Sequence, residues 1–298
     1  MDSQRPRRFL IIIGAARAGS TSLFDLMASH PALGRPVRKE LNFFSTEDLW
    51  ATHTPSLADY QALWPTWNTD LHSWALEASG HYTLGPQSVK IAERARETLE
   101  GCEVRLVYIL RHPLERIRSG LDFAAPRRIA KGRSARPRNL EGIAWASRYA
   151  YHLDSWTSQF PRSPVLLLRF EDLARQQVQI AQAILRHCGL PDTWEPPQYF
   201  KRNASGARQA VKPQWKSLVN IVPSSYRQKL NLRAWVPKSV QSFVQRKAPP
   251  PAMLTDQDRA NCIRFLQEDL NRLESVYGFD LKPWNLDQEP AWNPAILP

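Results

Sequence analysis

FLIIIGAARAGSTSLFDLMASHP, residues 9–31, sets an apolar run against a glycine-rich loop and then an amphipathic segment. The run Arg8–Ile13 is rich in β-branched residues and ends at Gly14, the pattern of a buried strand. Leu23, Leu26, Met27 and His30 then recur at helical spacing, with Ser20 and Thr21 where N-capping residues belong and Pro31 as terminator. A strand entering a glycine turn and then a helix N-terminus is an anion site, because backbone N–H groups converge there and the helix dipole favours negative charge. Gly14 permits the turn, and Gly19 lets backbone approach a phosphate. Ala16, Arg17, Ala18, Gly19, Ser20 and Thr21 are therefore expected to cradle a phosphate. The spacing Gly14-x4-Gly19 is that of a phosphate loop, yet Ser20 stands where an NTPase carries lysine, and Arg17 is the loop's cation.

Outward from this stretch, strands alternate with helices. Ser73–Ala78, Val104–Leu110 and Val165–Leu168 read as strands. Val89–Leu99, the stretch from Pro113 through Ala124, Glu141–Phe160, Asp172–His187 and a last segment from about 255 to 277 read as helices. The last opens on a capping box, Thr255-x2-Asp258, and closes at Gly278. Alternation implies βαβ units with right-handed crossovers. The expectation is a three-layer α/β fold of the P-loop type, a central parallel sheet covered by helices on both faces, as a single domain over 1–298.

The chain has 298 residues, enough for a sizeable core, with a hydrophobic fraction of 43% and a charged fraction of 23%. The longest apolar run near the start is too short for a membrane span and lacks signal-peptide features. Cys102, Cys188 and Cys262 show no metal-binding or disulfide spacing, so the chain reads as cytoplasmic with reduced thiols and without a metal site. The net charge of +12 is unevenly placed. Residues 201–250 carry eleven Lys/Arg and no Asp or Glu, and six cations fall between Arg127 and Arg138. Such stretches repel themselves unless anions offset them, which points to an anionic ligand, a glycan or a membrane surface. The basic, proline-interrupted segment 201–250 is a candidate for binding an acidic glycan or, through its interleaved aromatics, for peripheral membrane contact. No nucleic-acid-binding motif accompanies the charge.

A second motif, Arg111-His112-Pro-Leu-Glu-Arg116-Ile-Arg118-Ser119, directly follows the strand Val104–Leu110. A nucleotide kinase would end this strand in an aspartate to hold magnesium. Here it ends in arginine, and Arg111 with Ser119 can grip a second phosphate by charge-assisted bonds.

Together the two motifs resemble the sulfotransferases that use 3′-phosphoadenosine 5′-phosphosulfate (PAPS). GAARAGSTSL here is similar to the family's GAAKSGTTSL loop, and RHPLERIRS to its R-[DN]-P-x-x-R-x-x-S motif. Lys39-Glu40-Leu-Asn42-Phe43-Phe44 is similar to the KE-x-HFF of glycan sulfotransferases, and Leu168-Arg-Phe-Glu171-Asp172-Leu to LRYEDL. Glu77-Ala-Ser79, the segment Tyr149 to Pro161 and Gly278-x-Asp280-Leu extend the likeness. The resemblance implies PAPS as sulfuryl donor without a required metal, and an acceptor hydroxyl on a carbohydrate or glycolipid. It assigns Glu40 as base and Arg17 as the charge beside the departing phosphate. Lys39, Ser79 and His81 are assigned to the acceptor, and Arg111, Ser119, Arg202 and Arg208 to the nucleotide. His112, Glu77 and His81 are alternative bases. Arg17 replaces the family's lysine, Asn42 its histidine, and Gly80 a common proline. Rival readings are a P-loop kinase-like phosphotransferase, which would need the missing Walker lysine and metal carboxylate, and a basic glycan-binding protein without catalysis on the same fold.

Overall fold

The structure, a computed structural model, describes residues 5–173, 175–196, 210–211, 245–246 and 253–286. Five parallel strands form the central sheet: β1 (Arg8–Gly14), β2 (Leu33–Gly34), β3 (Trp74–Ala78), β4 (Glu103–Leu110) and β5 (Val165–Arg169), in the order β2-β3-β1-β4-β5. Phe9 to Ile13 are fully buried in the middle of the sheet, as a strand flanked on both sides must be. The chain passes from β1 through α1 (Ser20–Met27) to one side of the sheet. After β3 it crosses through α4 (Ser88–Thr98) to the other side. With right-handed crossovers these two helices lie on opposite faces, and a crevice opens at the carboxyl end of β1.

One helical layer contains α4, α5 (Pro113–Ala130), α6 (Glu141–Ala144), α7 (Tyr149–Gln159) and α10 (Asp256–Ser275), which pack on one another. The other holds α1 and α9 (Gln177–His187). The α9 end reaches the sheet where the Trp74 indole donates to the Cys188 carbonyl at 3.0 Å. Helices thus cover both faces of the parallel sheet, as the alternation predicts. The short helices α2 (Glu47–Thr52) and α3 (Leu57–Gln61) fill the connection before β3, and α8 (Phe170–Leu173) follows β5 directly. A short antiparallel pair joins β6 (Ala210–Val211) to β7 (Gln245–Arg246).

Three local expectations are corrected. The helix expected over 141–160 is interrupted by a 3₁₀ turn at Trp145–Ser147 and a non-helical Arg148. The buried Asp269 of α10 accepts the Ala150 and Tyr151 N–H groups at 3.0 and 2.8 Å, starting a separate helix there. The helix expected over 172–187 is two helices. The helix from Pro113 runs on to Ala130 although Pro126 lies inside it. The Thr255–Asp258 capping box forms as expected.

Candidate active site

The loop between β1 and α1 folds because two glycines occupy positions no other residue fits. Gly14 has φ 149, and a Cβ there would lie 2.0 Å from the Thr83 hydroxyl. Gly19 has φ 83, and a Cβ there would meet the Phe170 ring at 2.6 Å. Gly19 thus meets a conformational and an internal packing requirement, and it also lines the cavity described next. Gly19 is itself the N-cap of α1, with no side chain capping the helix, and Ser20 and Thr21 stand in its first turn instead of capping it. The first-turn N–H groups of a helix lack intrahelical partners and face outward from its end.

These N–H groups open into a cavity of about 420 Å³ lined by Ala16, Arg17, Gly19, Ser20, Thr21, Ser22, Glu40, His81, Arg111, Ser119, Phe123 and Arg127, among others. Ala18 is fully buried outside that lining, and its N–H donates to the Ala15 carbonyl at 3.1 Å, so it shapes the loop.

The two motifs meet here. The Arg17 Nε donates to the Ser119 hydroxyl at 3.1 Å across 102 residues of chain. The Arg111 guanidinium donates to the Arg17 carbonyl at 3.2 Å and lies over the Phe170 ring at 4.6 Å. Arg111 is 6% exposed and its pKa is drawn down by burial, with Glu115 at 3.5 Å pulling the other way. Its placement is over-determined. Tyr149 donates to the Arg111 carbonyl at 2.6 Å, and Glu171 accepts the His112 N–H at 2.9 Å and the Trp284 indole N–H at 3.2 Å. Glu115, Phe170 and Glu171 were not recognised as supports of this site. The i,i+4 spacing of Arg111 and Glu115 is the signal that carried the first.

Glu40 lies at another part of the cavity wall. Its carboxylate meets Lys39 Nζ at 3.3 Å and His81 Nδ1 at 3.4 Å. The His81 contact, then Lys39, hold its pKa down at about 2 against the opposing effect of burial. The carboxylate is thereby held in its ionised form. Lys39, its own pKa lowered by burial, anchors Glu40 and does not line the cavity. His81 does line it, as expected of an acceptor residue. Ser79 does not. It is fully buried, accepts the Asn42 N–H at 3.0 Å and donates to Glu77 at 2.9 Å, which ties the Glu40 loop to β3.

The alternative bases Glu77 and His112 are walled off. Glu77 has no exposure and accepts hydroxyls from Tyr60, Ser79 and Tyr82, with burial raising its pKa. His112 is buried, with its pKa pushed down to about 4 by burial, and it does not reach the cavity. Gly80 backs the loop: a Cβ there would press on the Ala16 backbone at 3.2 Å. Arg202, Arg208 and most of the 201–250 segment lie outside the described residues. Among the described residues no cluster of metal-ligating side chains occurs, and no helix is long and apolar enough to cross a membrane.

The cavity thus brings the first turn of α1, the Arg17 and Arg111 guanidinium groups and the Glu40 carboxylate together at the carboxyl end of a parallel sheet. Residues 102–196, which contain the Arg111–Ser119 motif, match the model of the Sulfotransferase family. The chain is 21% identical over 207 residues to the bifunctional heparan sulfate N-deacetylase/N-sulfotransferase 1 of Caenorhabditis briggsae. That match covers 61% of this chain and 23% of the relative, so the chain spans about a quarter of that protein's length. The crystal structure of a sulfotransferase from Alicyclobacillus acidocaldarius shares the fold, with a TM-score of 0.59 and 18% identity over 93% of this chain and 98% of that one. The family match thus rests on residues 102–196, about a third of the chain, and the likeness to the solved sulfotransferase is one of fold.

Proposed function

We propose that this protein moves a sulfuryl group from PAPS to a hydroxyl on a carbohydrate or glycolipid. The observation that carries the reading is the joining of the two motifs by the Arg17–Ser119 and Arg111–Arg17 bonds in one cavity that also exposes Glu40. Two phosphates held close together suit a nucleotide bearing a 3′-phosphate and a 5′-phosphosulfate. The heparan sulfate relative supports a sugar acceptor.

In this reading Arg111 and Ser119 hold the 3′-phosphate. Arg17 and the first-turn N–H groups of α1 stabilise the charge that develops on the departing 5′-phosphate, the role of a preorganised donor set. Arginine supplies that charge without yielding a proton, since its pKa lies above 12. Glu40 accepts the hydroxyl proton as the acceptor oxygen bonds to sulfur, held in place by Lys39 and His81. A kinase reading lacks residues for its parts, because Ser20 and Arg111 occupy the places of the phosphate lysine and the metal carboxylate. The test is transfer of radiolabelled sulfate from PAPS to a panel of glycans, glycolipids and phenols, with mass spectrometry of the product. Label on sugar hydroxyls is expected. Transfer of phosphate from ATP, with none of sulfate, would overturn the reading.

A further inference from the structure

Resting on that reading, we propose that Arg127 and Phe123 form the acceptor subsite and that the acceptor carries an anionic group, a carboxylate or a sulfate ester, near the hydroxyl it offers. The cavity-lining residues of α5 are Arg116, Ser119, Gly120, Phe123 and Arg127. Their spacing of three and four places them on one face of the helix. At 1.5 Å per residue, Arg127 stands about 12 Å along that face from Ser119. Ser119 and Arg111 contact Arg17, whereas the Arg127 guanidinium lies on the far side of the Phe123 ring contact.

The other cavity arginines are engaged. Arg17 is bound to Ser119, and Arg111 to the Arg17 carbonyl. The fully buried Arg116 donates to the Ser147 hydroxyl at 2.5 Å and to the Ile143 carbonyl. Arg127 differs. Among the described residues it makes no ion pair, and its guanidinium lies over the Phe123 ring at 4.9 Å. Phe123 is 38% exposed and takes Arg17 at 5.0 Å, so it stands between the leaving-group arginine and the outer one.

The same polarity continues outward. Lys131, Arg133 and Arg138 are exposed and make no ion pair among the described residues, whereas Arg136 is tied to Asp258 and the Met253 carbonyl. Like charges concentrated in one stretch of chain are unfavourable alone and become favourable against an anionic partner. The exposed part of the Phe123 ring, beside the two guanidinium groups, offers a sugar an apolar contact, and Arg127 offers its carboxylate or sulfate a bidentate partner.

The test uses the full chain and two probes, a uronic-acid tetrasaccharide and its carboxyl-reduced counterpart, titrated calorimetrically with and without 3′-phosphoadenosine 5′-phosphate. The carboxylate form is expected to bind at least about tenfold tighter, with an affinity that falls as salt rises. Arg127→Ala should erase the difference and Arg127→Lys restore part of it. Nucleotide affinity should stay within about twofold in both variants, because Arg127 stands about 12 Å along α5 from Ser119. Equal affinity for the two sugars, binding of neither, or loss of nucleotide affinity in Arg127→Ala overturns the proposal. Failure of the sulfotransferase reading would show separately, as a wild-type chain that binds no nucleotide.

Discussion

Replacing Arg111 by alanine separates binding from folding, because its neighbours are held independently of its side chain. Glu115 keeps Arg118 at 2.7 Å, the residue 111 carbonyl keeps Tyr149, and the His112 N–H keeps Glu171. Besides the ion pair with Glu115 at 3.5 Å, the fold loses one hydrogen bond to the Arg17 carbonyl and one cation–π contact with Phe170. Those amount to about 1 kcal/mol and about 0.5–1 kcal/mol. The 3′-phosphate loses far more, a nearly buried charge-assisted partner worth about 2–4 kcal/mol, or roughly 30- to 1,000-fold in Kd. Calorimetry with 3′-phosphoadenosine 5′-phosphate measures this directly. Adenosine 5′-phosphate serves as the comparison, and its affinity should change by less than about threefold, since it has no group for Arg111 to grip. Unchanged affinity for the bisphosphate, or an equal loss for both nucleotides, would refute the assignment of the 3′-phosphate to Arg111.

Two further outcomes follow from the same geometry. Glu40→Gln keeps size but removes the proton acceptor, so turnover should fall about 10²- to 10⁴-fold with nucleotide affinity nearly intact, read from steady-state kinetics beside calorimetry; wild-type turnover would move the base to His81. The buried His112 and His152 have pKa values pushed down to about 4 and about 3 from 6.5, so both are neutral in the folded state and charge more readily when unfolded. Their stability is present above pH 6.5 and is lost as pH falls toward those values, at about 2 kcal/mol each by pH 5. Denaturant unfolding between pH 7 and 5 should show this slope, and a His112→Gln, His152→Gln double variant should flatten it.

The strand-loop-helix at residues 9–31 and the Arg111–Ser119 motif were legible because each is local. Their signals are an apolar run, glycines at fixed spacing and a cation just past a strand. What stayed hidden is what distant segments do to one another. Ser79 reads as an acceptor residue until β3 places its hydroxyl between Asn42 and Glu77, where it becomes a strut for the Glu40 loop. The apolar periodicity of 141–160 favours one helix, but Asp269, more than a hundred residues later, captures the N–H groups of Ala150 and Tyr151 and starts a new one. Gly19 has a second role that only the fold shows, as a left-handed cap packed against Phe170. Phe123 belonged to no motif and Arg127 only to the basic cluster ending at Arg138, and their shared face emerges only when α5 runs unbroken past Pro126.

The substitution of arginine for lysine at position 17 has a structural counterpart in Ser119. A guanidinium carries five donors in a fixed fork, so Arg17 can bond Ser119 through Nε at 3.1 Å and still direct other N–H groups elsewhere. An ammonium is a point charge whose three donors share one position. The phosphosulfate loop and the 3′-phosphate motif should therefore be energetically coupled, and a double-mutant cycle on bisphosphate nucleotide binding measures that coupling. Ser119→Ala alone should cost about 1 kcal/mol, and Arg17→Lys alone a comparable amount while keeping the charge. Because the two side chains are in direct contact, the double variant should lose about 0.5–1.5 kcal/mol less than the sum. Turnover in Arg17→Lys should persist, since a positive charge still faces the departing phosphate, whereas Arg17→Ala should lose about 3 kcal/mol or more in the transfer step. Additivity within about 0.3 kcal/mol would mean that the two grips act independently, and the bridge from Arg17 to Ser119 would then have no part in holding the nucleotide.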